Sequence, residues 1–234
     1  MKNLINLGSI VLGTVLILSS CIKDNSTGDG KLSYKVKPSN FTASISPAAS
    51  GSGLIIAVNS NSSLTWTSGN VNISEIDFEA ESKSSKIEYE LKQVFNVDLF
   101  IPSPVLGSIR LPIATYDEVE LKLVLRKSAN STIPLTLKGL YTDGGGTKIP
   151  VEFYFNEDFE AEVEAENLVV SGTNDYLGLI NIQLNKFLTN VVTADLSGAV
   201  KSNGVIVISS TSNTELYAKL KANLNVFADC DFDD

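Results

Sequence analysis

Glu75-Ile76-Asp77-Phe78-Glu79-Ala80-Glu81 alternates an acid with an apolar residue at every step. Successive side chains of a strand point to opposite faces, so the pattern buries Ile76, Phe78 and Ala80 and leaves four carboxylates in water. Phe159, Ala161, Val163 and Ala165 repeat it against Glu160, Glu162, Glu164 and Glu166. Alanine and glutamate also suit a helix, but acids at every second position would wrap all round one. Both stretches read as strands.

Working outward, Ile87, Tyr89 and Leu91 keep the same period. The phase slips before Phe95, Val97 and Leu99, which reads as a β-bulge. Leu54–Val58 is a short apolar run, and Leu64 and Trp66 alternate with Thr65 and Thr67. Val119, Leu121, Leu123 and Leu125 alternate with Glu118, Glu120 and Lys122. Ile133, Leu135 and Leu137 lead through Tyr141 to Asp143-Gly144-Gly145-Gly146, and Ile149, Val151, Phe153 and Phe155 follow. Two alternating runs joined by a loop that tolerates positive φ predict a hairpin. Ile180, Ile182 and Leu184 form another strand, and Val205–Ile208 a late one.

Helix is expected only near the end. Leu184–Val191 predicts a short helical turn. Ser212-Asn213-Thr214-Glu215 has capping-box spacing, and Glu215 and Lys219 stand at i,i+4, so a helix is expected over 214–225. Many strands between turn signals, with little helix, make an all-β chain: an antiparallel sandwich or barrel.

The first residues, MKNLINLGSIVLGTVLILSSC, follow another logic. Lys2 gives a positive start, an apolar run reaches Leu18, and Ser19 and Ser20 are small residues before Cys21. That is the layout of a secretory signal, and the run is shorter than the roughly 20 apolar residues of a membrane span. Leu18-Ser19-Ser20-Cys21 resembles the lipobox of bacterial lipoproteins. The resemblance implies signal-peptidase recognition through Leu18, Ser19 and Ser20, and lipid attachment at Cys21 as the new first residue. Residues 21–30 then read as a flexible tether, about 15–18 Å in mean span. The β-sandwich domain is expected over 31–234.

Composition narrows the chemistry. The chain has 234 residues, a formal net charge of −9 and no histidine. Without histidine there is no Ser-His-Asp or Cys-His catalysis and no histidine zinc site. Once Cys21 is lipidated only Cys230 remains, which excludes an intramolecular disulfide and a cysteine-only zinc site. An acidic chain with no basic cluster is a poor match for nucleic acid or anionic headgroups, so the membrane would be reached through the lipid alone.

Leu111-Pro112-Ile113-Ala114-Thr115-Tyr116, followed by an alternating run, resembles the "Leu-Pro-x-Gly-x-Tyr, then strand" motif of transthyretin-like β-sandwich modules, with Ala114 in the glycine position. Together with the lipobox, Ile76–Ala80, Val97-Asp98-Leu99-Phe100 and Ser212–Tyr217, the layout is similar to uncharacterised β-sandwich lipoproteins of Bacteroidota. The resemblance implies an immunoglobulin/transthyretin-like antiparallel sandwich with one or two short helices near the C-terminus. It also implies the cell envelope and the outer membrane as the place of work. It brings no catalytic residues.

The two glutamate ladders offer ligands for a divalent cation or a basic partner. Same-face residues of one strand stand roughly 6.5–7 Å apart, too far to share a calcium ion without a second strand, so they read as solvated faces. Asp229, Asp231, Asp233 and Asp234 read as an acidic tail. Gly144–Lys148 lacks phosphate-loop spacing and reads as a turn. Trp66 reads as core. The expectation is therefore a lipid-anchored, non-enzymatic structural or interaction module, needing no cofactor or metal, with an unidentified protein or glycan partner. A surface glycan-binding lipoprotein, using aromatics among Tyr34, Trp66, Tyr141 and Tyr154, is an alternative. A carboxylate-dependent hydrolase is a second, and needs two acids facing each other across a cleft.

Overall fold

The computed structural model describes residues 29–47, 62–93, 95–102, 105–130, 132–172, 174–224 and 228–233. The lipobox residues Leu18, Ser19, Ser20 and Cys21 and the Leu54–Val58 run lie outside these. The described residues fold into three sheets. The first sets β1 (Asp29–Ser39) between β7 (Gly107–Pro112) and β12 (Asp175–Gln183), with β15 (Ala228–Asp233) on the far side of β12. The second orders β13 (Lys201–Ser202), β14 (Val205–Ile208), β10 (Lys148–Phe155), β9 (Leu135–Thr142), β3 (Ser62–Ile73) and β2 (Thr42–Ile45), and β6 (Phe95–Asp98) also pairs with β3. The third runs β11 (Phe159–Val170), β8 (Ala114–Leu125), β4 (Glu75–Glu81), β5 (Lys86–Leu91).

This is the all-β architecture expected, with one refinement. Most pairs are antiparallel, but β1 runs parallel to β12 and β10 parallel to β14. Single residues turn the corners between sheets: Ser74 between β3 and β4, and Ile113 between β7 and β8. Inward-facing residues of all three sheets form one contiguous buried cluster, from Leu32 and Val36 through Trp66 and Phe78 to Leu121, Phe153 and Ile180. Trp66 is 1% exposed, and its indole N–H donates to the Leu184 carbonyl at 3.2 Å, tying the second sheet to the end of β12.

The tyrosine motif closes one corner. Tyr116 is fully buried and its hydroxyl donates to the Pro112 carbonyl, four residues upstream, at 3.0 Å. That bond clamps the bend at Ile113, much as a tyrosine corner does in a sandwich. Gly30 completes the corner, because a Cβ there would stand 2.6 Å from the Val170 side chain. β1 starts at Asp29, so the last two residues of the expected tether are already strand.

Several local expectations change. The slip before Phe95 is not a bulge: β5 belongs to the third sheet and β6 to the second, so the chain changes sheets there. A register shift does occur, between Trp66 and Ser68 of β3 against β9. The β9–β10 hairpin forms as expected, with Gly146 at φ 85° and the Asp143 carboxylate accepting the Gly145 and Thr147 amides. Residues Asp229–Asp233 are not a tail but part of β15, antiparallel to β12. Their alternation with Cys230 and Phe232 is the period-two signal that the acid count obscured.

The helical part is a 3₁₀ turn at Lys186–Leu188, a short helix α1 (Thr193–Ser197) and α2 (Thr214–Ala222). The capping box and the Glu215–Lys219 pair do not form. The Asn213 side chain instead accepts the Val200 amide and donates to the Val200 and Val207 carbonyls. Lys219 binds both Asp195 carboxylate oxygens, at 2.8 and 2.7 Å, joining α2 to α1. Tertiary partners outcompete the local ones.

Candidate functional site

The two glutamate ladders are neighbours in space. β8 lies between β4 and β11, and the register sets Glu166, Glu118 and Glu81 in one row with Lys86. The next row is Glu164, Glu120, Glu79 and Glu88, and the third is Glu162, Lys122, Asp77 and Glu90. Glu160 and Glu75 flank Val124 in the fourth. Twelve acids thus share one face with four cations, Lys86, Lys92, Lys122 and Arg126, an excess of eight. The formal charge of the whole chain is −9, so this single face accounts for nearly all of it.

The sequence folds this way because the opposite face is apolar. Ile76, Phe78, Ala80, Val119, Leu121, Leu123 and Val163 are buried beneath the carboxylates. Directly opposed like charges destabilise a strand pair, and the second row has four in succession. The lysines offset part of this cost. Lys86 lies 2.7 Å from Glu79 and 2.9 Å from Glu88, and Lys122 lies 2.9 Å from Glu120 and 3.2 Å from Glu162. Lys92 reaches Glu90 at 2.6 Å, and Arg126 stands within 3.7 Å of Glu75 and Glu160.

Protonation records the crowding. A hydrogen bond with Glu90 raises the Glu75 carboxyl above its ordinary range, with burial adding to it, while Lys92 holds Glu90 below its own. Glu164 is raised chiefly by its hydrogen bond with Glu162, with Glu118 and Glu120 adding repulsion. Lys86 and Lys122 are raised by the carboxylates that accept their hydrogen bonds. A carboxyl raised on folding costs stability where it is ionised in both states, and the cost vanishes as pH falls through its folded pKa. Glu164→Gln should therefore raise Tm slightly at pH 7. The gain should disappear in acid, where Glu164 is already neutral; melting curves at both pH values check this.

The second strand that a cation would need is present. Glu75, Asp77 and Glu90 each bring an oxygen within 4.8 Å of the others, and so do Glu118, Glu120 and Glu164. Such oxygens suit a hard cation such as calcium, although Lys92 and Lys122 already serve the same carboxylates. For hydrolysis the arrangement is unsuited, since these acids stand side by side on an open face.

Of the aromatics considered for sugar stacking, Tyr34, Trp66 and Tyr141 are buried. Burial pushes the Tyr34 hydroxyl up to about 12. Tyr154 is half-buried and donates to Glu152 at 2.6 Å. Sequence reasoning found both ladders but not their union, because the order β11–β8–β4–β5 is long-range information. The signal that could have linked them was Glu118 and Glu120, whose alternation matches both. Comparison with known protein families, curated proteins and solved structures finds no match to this chain.

Proposed function

We propose that the protein is a lipid-anchored, non-enzymatic interaction module of the cell envelope, held at the outer membrane through Cys21 and presenting the acidic face of its third sheet to a cationic partner. The observation that carries this reading is the concentration of charge: twelve acids on one sheet face, over a fully apolar underside. A domain that needed these carboxylates only for solubility would gain as much by scattering them, without setting four glutamates in one cross-strand row. The lipobox-like segment Leu18–Cys21 supports the anchor. Among the described residues no helix is long and apolar enough to cross a membrane.

The glycan-binding reading loses three of its four aromatics to the core. For the hydrolase reading, the grouped acids of the third sheet stand side by side on neighbouring strands. The anchor is tested by fractionation and by the mass of the N-terminal peptide. Wild-type protein is expected in the membrane fraction with an acylated Cys21 at its N-terminus, and Cys21→Ala in the soluble fraction. An unmodified Cys21 in membrane-bound protein would refute the anchor.

A further inference from the structure

The side of the third sheet that faces water changes partway along β8 and β11. Val119, Leu121 and Leu123 of β8 and Val163 of β11 are buried, and the glutamates between them face out. Towards the bend at Ile113 the phase is opposite. Tyr116 and Val170 are buried there, while Thr115 and Val169, in register with each other, are exposed. The reversal falls at Asp117 and Asn167, where Asn167 takes φ 59°. Its product is an apolar corner: Val169 is 62% exposed and Ile113 60%. Neither belongs to the acidic face, whose first row is Glu166, Glu118 and Glu81. β1 begins in the same corner, with Asp29 in register with Pro112, the residue before Ile113, and Gly30 against Val170. Asp29 stands eight residues after Cys21, a reach of at most roughly 26–29 Å.

We propose that Ile113 and Val169 sit in the headgroup–acyl boundary of the bilayer that carries the anchor, as a second point of membrane contact. The proposal rests on the lipid anchor at Cys21 and goes beyond it, because attachment is then not through the acyl group alone. Apolar side chains bind at that depth in proportion to the area they bury. The lipid is zwitterionic, since Asp29 and Asp117 belong to the same corner and disfavour anionic headgroups. Two contacts also orient the domain. The β3–β4 run leads away from the corner, from Glu81 in register with Glu118 to Ser63 in register with Thr142 beside the β9–β10 hairpin. The rows of acids then rise from the membrane along the side of the domain, where a partner reaches them.

The test reads the fluorescence of Ile113→Trp and Val169→Trp in the acylated protein, reconstituted in phosphatidylcholine vesicles whose acyl chains are brominated close to the headgroup. Trp66 is buried, so the wild type supplies the background. Val200→Trp is the control: Val200 is 72% exposed and adjoins Lys201, whose charge acts on Asp143 of the hairpin. Both corner reporters should lose fluorescence relative to vesicles without bromine, and Val200→Trp should not. The Tm of each variant shows that it folds. The mass of the N-terminal peptide shows separately whether Cys21 is acylated. If it is not, the anchor reading fails, and the same variants, with Cys230→Ser, are coupled to a maleimide lipid through the Cys21 thiol, so that the corner is still tested. The proposal is overturned if either corner reporter keeps its fluorescence on the vesicles, or if Val200→Trp is quenched as strongly. A blue shift of the corner reporters that grows with protein concentration in the absence of vesicles would also overturn it, by making the corner a contact between copies.

Discussion

Trp66→Ala is expected to cost about 3–5 kcal/mol of unfolding free energy, the range for deleting a large aromatic from a packed core. Trp66 is 1% exposed and sits in β3 where the register shifts against β9. Its ring fills space between the second sheet and the end of β12, and its N–H satisfies the Leu184 carbonyl. Alanine therefore leaves a cavity and an acceptor without its donor. Trp66→Phe refills most of the volume and loses only the hydrogen bond, so it should cost clearly less. Chemical denaturation of both variants checks the order. Equal, small losses would mean that the first and second sheets are not joined through this residue.

Tyr217→Ala should also be severe, about 3–5 kcal/mol. α2 is short, and its place depends on Tyr217, which packs on Phe153 and Phe155 with centroids 5.9 and 6.5 Å away. The hydroxyl donates to Glu157 at 2.5 Å, and Lys221 binds the same carboxylate. Lys221 is the chief reason Glu157 is held below its ordinary range, with Tyr217 adding to it, while burial raises the Tyr217 hydroxyl. Tyr217→Phe keeps the rings and leaves Glu157 its lysine, so it should cost about 1–2 kcal/mol. A helix held by the hydrogen bond rather than by packing would show the reverse ranking.

These two residues also show what the sequence makes legible. Local period gave the strands: Glu75–Glu81 and Phe159–Glu166 read as strands from alternation alone, and the Asp143–Gly146 loop from its glycines. Trp66 beside Leu64 reads as core for the same reason. Pairing partners were out of reach, because period two says which face a residue takes and not which strand lies beside it. Hence the change of sheet between β5 and β6 looked like a bulge. Competition was out of reach too. Glu215 and Lys219 have the spacing of a helical pair, yet Asp195 arrives from α1 and takes the lysine. The acidic face was half visible, as two ladders whose meeting across β8 is a product of topology.

The most direct test of the acidic contact face is the binding of an octalysine peptide to the purified protein, measured across a range of salt. The wild type should bind at low salt and weaken steadily as screening shortens the reach of exposed charges. Glu79→Gln/Glu120→Gln/Glu164→Gln, which neutralises three of the four glutamates of the second row, should lose about tenfold in affinity. A control with the same change of charge outside the third sheet, Asp98→Asn/Asp175→Asn/Glu215→Gln, should keep it. If the two triple variants bind equally, the attraction follows net charge alone and the third sheet is not the contact face.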